Sequence, residues 1–380
     1  MQKLGIVVSH PIQYHAPLFK CLSKKTDLTV FYCHSPNEKE IGKDGFGLEF
    51  KWDIDLLEGY KYIFLKNISI NPSLSSFNGC NTPEIGDAIK KEGVTHVLIF
   101  GWYLRSFWQA FFYCVKNKIP IASRGDSQLN PDENKIKSLL KKIFYPLFIK
   151  RYDALLYVGE RNKEYLLSHG ATQKQLLFSP HAVDQDYWKP SSTEKKNKEK
   201  IRFIWVAKFI DKKRPMDVVK AFNQASLKNK NIELYMIGTG PLLDSVVSKA
   251  AGNPNIHFPG FKNQSELIKY YSTSHCLLLA SDRTETWGLV VNEAFAIGIP
   301  AIVSKECGCS ANLIENGITG FTYAIGDIIE LSENIQLMTE KVLQNHEYFQ
   351  FGIEQKNKVH SYYNSCEGII QFIRSTSNEI

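Results

Sequence analysis

The most chemically loaded stretch of the sequence is Ser281 to Ser304, SDRTETWGLVVNEAFAIGIPAIVS. Glu285 and Glu293 stand in an E-x7-E pattern with Gly288 between them and Gly298 and Pro300 behind. The apolar run Cys276 to Ala280 reads as a buried strand, Gly288 permits close backbone approach, and a helix from about Gly288 to Ile297 stops at Gly298. With Glu285 in the loop and Glu293 about a turn and a half into that helix, both carboxylates can face the carboxyl end of the strand. The N–H groups around Gly288 and Leu289 have no intrahelical acceptor, so they suit a phosphate.

The elements that must position these residues read as two α/β halves. Leu4 to Val8, Leu28 to Tyr32, Val94 to Phe100 and Ile119 to Ser123 are short continuous apolar runs alternating with helical stretches, the pattern of a parallel sheet covered on both faces. A second alternation runs through strands Ile201 to Val206, Ile232 to Ile237, Cys276 to Ala280 and Ala301 to Ser304. Between them, Pro190 to Lys200 is polar with almost nothing to bury and reads as a linker. The expected division is residues 1–189, a linker at 190–200, a second domain at 201–360, and a final helix at 361–380 packing back on the first domain. The fold class expected is two Rossmann-like α/β domains facing a cleft.

The segment Glu285-Thr-Trp-Gly-Leu-Val-Val-Asn-Glu293-Ala with Gly298-Ile-Pro300 resembles the signature of retaining glycosyltransferases of the GT-B fold, family 4. Val206-Ala-Lys208 with Lys213, Gly238-Thr-Gly240-Pro241, Pro259-Gly260-Phe261, and Asn316-Gly317 with Thr319-Gly320-Phe321 lie in register on both sides, and Ser179-Pro-His181-Ala-Val183-Asp184 lies upstream. The resemblance is dense in the C-terminal half and thin in the N-terminal half. It implies transfer of a sugar from a nucleotide diphosphate sugar, with Glu285 on the donor sugar's hydroxyls and Glu293 on the ribose. Positive charge then develops on the ring and negative charge on the departing diphosphate, which Lys208, Lys213 and the helix N–H groups would stabilise with no metal and no cofactor. Lys208 stands where the family usually has arginine, and lysine is a point charge without the bidentate fork. Gly238 would lie in a strand-to-helix turn near the donor; Leu243 stands where a dinucleotide fingerprint has its third glycine.

In the first half, the loop Ser9-His10-Pro11-Ile12-Gln13-Tyr14-His15 follows the first strand without a glycine, so any contact would be made by side chains such as His10 and Gln13. Arg124-Gly125-Asp126 ends a strand where Asp126 could orient an acceptor hydroxyl or act as a base, or form a structural Arg–Asp pair. The resemblance places a glycan or lipid-linked acceptor on this half, in cell-surface or extracellular polysaccharide synthesis.

Ile136, Leu139, Leu140, Ile143, Phe144, Leu147 and Phe148 recur at helical spacing, with Pro146 expected to kink or interrupt the helix. Six Lys and Arg residues between 135 and 151 accompany them without an acidic residue, so this stretch either faces the core or docks an anionic membrane. The net charge of +7 is mild for 380 residues, the basic residues are dispersed, and nothing matches a nucleic-acid motif. No apolar run reaches the roughly 18 residues of a membrane span, the eight cysteines lack metal-site spacing, and a cytoplasmic location with reduced thiols is expected. Two alternatives stay open: a sugar-nucleotide epimerase or hydrolase of the same architecture, and a non-catalytic sugar-nucleotide-binding subunit.

Overall fold

The computed structural model describes residues 2–35, 53–189, 199–345 and 347–377, so most of the expected linker, residues 190–198, lies outside the described residues. The chain forms two compact units, one drawn from residues up to 35, 54–182 and 362–377, the other mainly from residue 183 to residue 361.

The first unit has strands β1 (Lys3–Val8), β2 (Asp27–Tyr32), β3 (Lys61–Phe64), β4 (His96–Ile99), β5 (Ile121–Gly125), β6 (Ala154–Tyr157) and β7 (Leu176–Phe178). They form one parallel sheet in the order β3-β2-β1-β4-β5-β6-β7. The central strands are buried on both faces, as their unbroken Ile, Val and Leu runs require. The chain leaves β1 outward to β2 and β3, then returns to β4 on the other side. The point where strand order reverses therefore lies between β1 and β4. Helix Tyr362–Ser377 packs Cys366, Ile369, Phe372 and Ile373 into the core with Leu4, Ile6 and Phe19. Gly368 makes its close approach possible, since a Cβ there would stand 2.0 Å from the Phe178 carbonyl oxygen.

The second unit repeats the plan with β8 (Ile201–Val206), β9 (Ile232–Ile237), β10 (Ile256–Gly260), β11 (Cys276–Leu279), β12 (Ala301–Ser304) and β13 (Gly320–Tyr323). Their order, β10-β9-β8-β11-β12-β13, puts the reversal between β8 and β11. The two-domain α/β fold expected from the alternation is the fold observed. Strands β3, β6, β7, β10 and β13 were not apparent in the sequence: β3 is a half-exposed edge, β7 has three residues, and β10 contains Pro259. Pro146 does not end its helix, which runs unbroken over Lys135–Ile149. Asn134 caps that helix through its side-chain oxygen, which accepts the Ile136 and Lys137 N–H groups.

Candidate functional site

In the second unit the two loops that flank the strand reversal carry the charged residues. After β8 the chain passes Lys208, makes a short 3₁₀ turn over Asp211–Lys213, and takes Arg214 into the left-handed region at φ 49° before helix Pro215–Lys228. After β11 the loop turns at Asp282, whose side chain accepts the Thr284 N–H at 2.8 Å. The Asp282 N–H donates to the Lys212 carbonyl at 2.9 Å, tying the two loops together.

Lys213 Nζ pairs with Glu285 Oε2, and Lys212 Nζ stands 3.9 Å from the same oxygen. Both Lys213 and Glu285 are largely shielded, which strengthens the pairing relative to a surface ion pair. The Glu285 loop is clamped from behind: Gly308 N–H donates to the Glu285 carbonyl at 2.9 Å and Cys309 N–H to the Trp287 carbonyl at 3.0 Å. Gly288 sits at φ +102°, and a Cβ there would lie 2.6 Å from Leu279.

Helix Val290–Ile297 begins two residues beyond Gly288, so Glu293 lies in its first turn rather than a turn and a half inside. Glu293 is buried, and its Oε2 accepts the Tyr271 O–H at 2.9 Å. Tyr271 is buried against Trp188, their rings 5.5 Å apart and perpendicular. Gly238 has a backbone role, since at φ +139° a Cβ would stand 2.0 Å from the Ala207 carbonyl oxygen. Its glycine lets the turn after β9 lie against the loop that leads to Lys208.

The first unit gathers polar groups at the carboxyl ends of β1, β5 and β7. Arg124 is buried; its Nη2 donates to the carbonyls of Ser179 and Pro180, both at 3.1 Å, and its Nε to Ser179 Oγ at 3.2 Å. Burial pushes its guanidinium down to about 10, which leaves it charged at neutral pH. Asp126 Oδ2 stands 3.7 Å from His181 Nε2. Ser9 Oγ bonds His10 Nδ1 at 2.9 Å, and burial, helped by His34, lowers His10 to about 4. His15 and His181 are likewise lowered, burial first and Arg124 acting in the same direction. Gln13 Oε1 and His15 Nδ1 are buried without a hydrogen-bond partner among the described residues. Among those residues no group of three or more His, Cys, Asp or Glu side chains could hold a metal ion.

Residues 186–366 match the family model described as Glycosyl transferases group 1. The chain carries a group 1 glycosyltransferase domain. This is the family that the Glu285 to Ser304 pattern resembles. Among sequence relatives, N-acetyl-alpha-D-glucosaminyl L-malate synthase of Bacillus anthracis is 29% identical over 150 residues, covering 38% of each chain. Alpha-monoglucosyldiacylglycerol synthase of Acholeplasma laidlawii is 25% identical over 197 residues, 50% of this chain and 49% of that one. The matched stretch thus spans half or less of the curated relatives' length. Two solved structures share the whole fold: a glycosyltransferase from Rickettsia africae ESF-5, with TM-score 0.75, 16% identity and 98% of both chains covered; and Anabaena HepE in complex with UDP and glucose, with TM-score 0.70, 12% identity and both chains fully covered.

The glycosyltransferase domain brings Lys213, Glu285, Gly288 and the helix start together at the strand reversal. Lys208 lies in the same loop as Lys213, half-buried. Tyr271 as partner of Glu293 is a site feature that sequence reasoning did not assign. Nothing in the helix Gln264–Ser272 distinguishes Tyr271 from Tyr270, so no local signal existed. His181 beside Asp126 was not assigned either, because the strand that delivers Ser179 to Asp184 has only three residues.

Proposed function

We propose that the chain is a retaining glycosyltransferase that moves a sugar from a nucleoside diphosphate sugar to a glycan or lipid-linked acceptor in cell-surface or extracellular polysaccharide synthesis. The observation that carries this reading is the Lys213–Glu285 pair at the strand reversal, with the start of helix Val290–Ile297 close behind it in the chain. Lys213 and Lys208 meet the diphosphate, whose negative charge grows as the anomeric C–O bond breaks, and the helix N–H groups at Leu289 and Val290 share that load. Glu285, fixed by its two lysines and by Gly308, accepts from the donor sugar's hydroxyls. Glu293, oriented by Tyr271, accepts from the ribose. The leaving phosphate takes the acceptor's proton, so no protein nucleophile and no metal enters. The second unit serves the donor and the first the acceptor, with His10, Gln13, Asp126 and His181 as its polar groups. Uridine is the base to test first, since Anabaena HepE is known with UDP and with UDP-glucose.

Thermal shift over UDP, GDP, ADP, CMP and dTDP with their sugars tests the donor side, because a ligand that binds only the folded state raises the melting temperature. One nucleotide class should shift it. Flat results across all of them would overturn the reading.

A further inference from the structure

The helix Lys135–Ile149 presents its hydrophobic stripe outward. At about 100° per residue, Ile136, Leu140, Ile143 and Leu147 fall on one line, with Leu139 and Phe144 on either side. Ile136 is 70% exposed, Ile143 54% and Leu147 67%, whereas Ile149 on the other side is fully buried. Core contact is made by Tyr145, Phe148 and Ile149: Phe148 packs against Trp102 and Trp108 with ring centroids 5.5 and 5.0 Å apart. Trp108 also touches exposed Phe112, at 5.7 Å. Lysines border the apolar line on both sides, Lys137 on one and Lys135 with Lys142 on the other. Glu133 pairs with Lys141 at 2.5 Å and reaches Lys137 at 3.7 Å, leaving the remaining border cations without an acidic partner on the helix.

We propose that this helix lies in the surface of an anionic membrane, its Ile136–Leu147 line among the acyl chains and its bordering lysines at the level of the lipid phosphates. Six large apolar side chains facing water on one helix call for a cover, and the charge around them selects it. A second copy packed on the same face would bring lysine border against lysine border. An anionic lipid surface instead complements both borders, and lysine stems are long enough to reach headgroups while their helix sits lower. The inference rests on this helix alone and stands or falls independently of the donor reading.

Sedimentation of the full chain with vesicles tests it. Vesicles of phosphatidylcholine and phosphatidylglycerol in equal parts should carry the protein down, pure phosphatidylcholine vesicles far less, and added salt should release it. Ile143→Ser with Leu147→Ser should weaken partitioning about tenfold or more, and Lys135→Gln with Lys142→Gln about tenfold, with unfolding temperatures unchanged. Wild-type protein that stays in the supernatant with anionic vesicles, or binds both vesicle types equally, would overturn the proposal. So would a dimer that the Ile143→Ser, Leu147→Ser protein disperses without any lipid binding, which would assign the face to a second copy.

Discussion

Lys213 Nζ is paired with Glu285 Oε2 although the two residues lie 72 positions apart in the chain. One follows β8 and the other β11, the adjacent strands between which sheet order reverses. In the proposed function Glu285 accepts from sugar hydroxyls and Lys213 meets the diphosphate. Glu285→Ala and Lys213→Ala should each lower turnover by about 10²-fold or more, the scale of one lost preorganised contact. Glu285→Gln keeps the shape and loses the charge, so its rate should fall and stability should drop by about 1–3 kcal/mol as the lysines lose their partner. Steady-state kinetics beside thermal unfolding separates these effects.

Gly308 stands where a Cβ would meet the Thr286 carbonyl oxygen at 1.7 Å. Gly308→Ala must therefore push the Glu285 loop off its support and break the hydrogen bond to the Glu285 carbonyl. A loss of about 1–3 kcal/mol is expected from overpacking, together with reduced transfer. Chemical denaturation and activity measured on the same preparation check both. An unperturbed variant would mean the clamp does not position Glu285.

Much of this arrangement could be read before the fold was known, and the rest could not for identifiable reasons. Buried parallel strands are continuous apolar runs, so β1, β8 and β11 announce themselves; β3 and β7 are too exposed or too short to do so. The Glu285 to Pro300 segment carries its chemistry locally in glycines, a helix start and two carboxylates. The Tyr271–Glu293 bond and the His181–Asp126 approach join separate elements and leave no local pattern. Periodicity also reveals that helix Lys135–Ile149 has an apolar face but not which way that face points, since core and outward stripes share one spacing.

Tyr271→Phe removes the O–H that Glu293 accepts, leaving a buried carboxylate short of one donor. Stability should fall by about 1–3 kcal/mol, the range for losing a hydrogen bond to a charged group. With Glu293 free to turn, the Michaelis constant for the donor should rise more than turnover falls. Kinetics with varied donor at saturating acceptor checks the split.

Stability should decline on acidification below neutral. The His10 imidazole is held at about 4 in the fold against 6.5 when unperturbed, so between those values the unfolded chain binds a proton that the folded chain refuses. Stability is then full above pH 6.5 and drains away as pH falls towards about 4, with His15 and His181 acting in the same direction. Melting temperatures across this range should show the slope, and His10→Asn should make it shallower.

Arg124→Met would strip the Ser179 carbonyl of its donor inside the first unit, while the Pro180 carbonyl keeps the Ser365 hydroxyl. One buried unsatisfied acceptor costs about 1–3 kcal/mol, so a loss of about that size is expected from urea denaturation. Nucleotide binding by whatever protein remains folded should persist, because these contacts lie wholly in the first unit.

The second unit is proposed to hold a nucleoside diphosphate sugar through Lys213. Calorimetric titration of UDP, or of whichever nucleoside diphosphate the thermal screen selects, into wild-type and Lys213→Ala proteins tests it most directly. Binding to the wild type and at least about tenfold weaker binding to the variant are expected, from the loss of one charge-assisted phosphate contact. Equal affinity in the two folded proteins would contradict it.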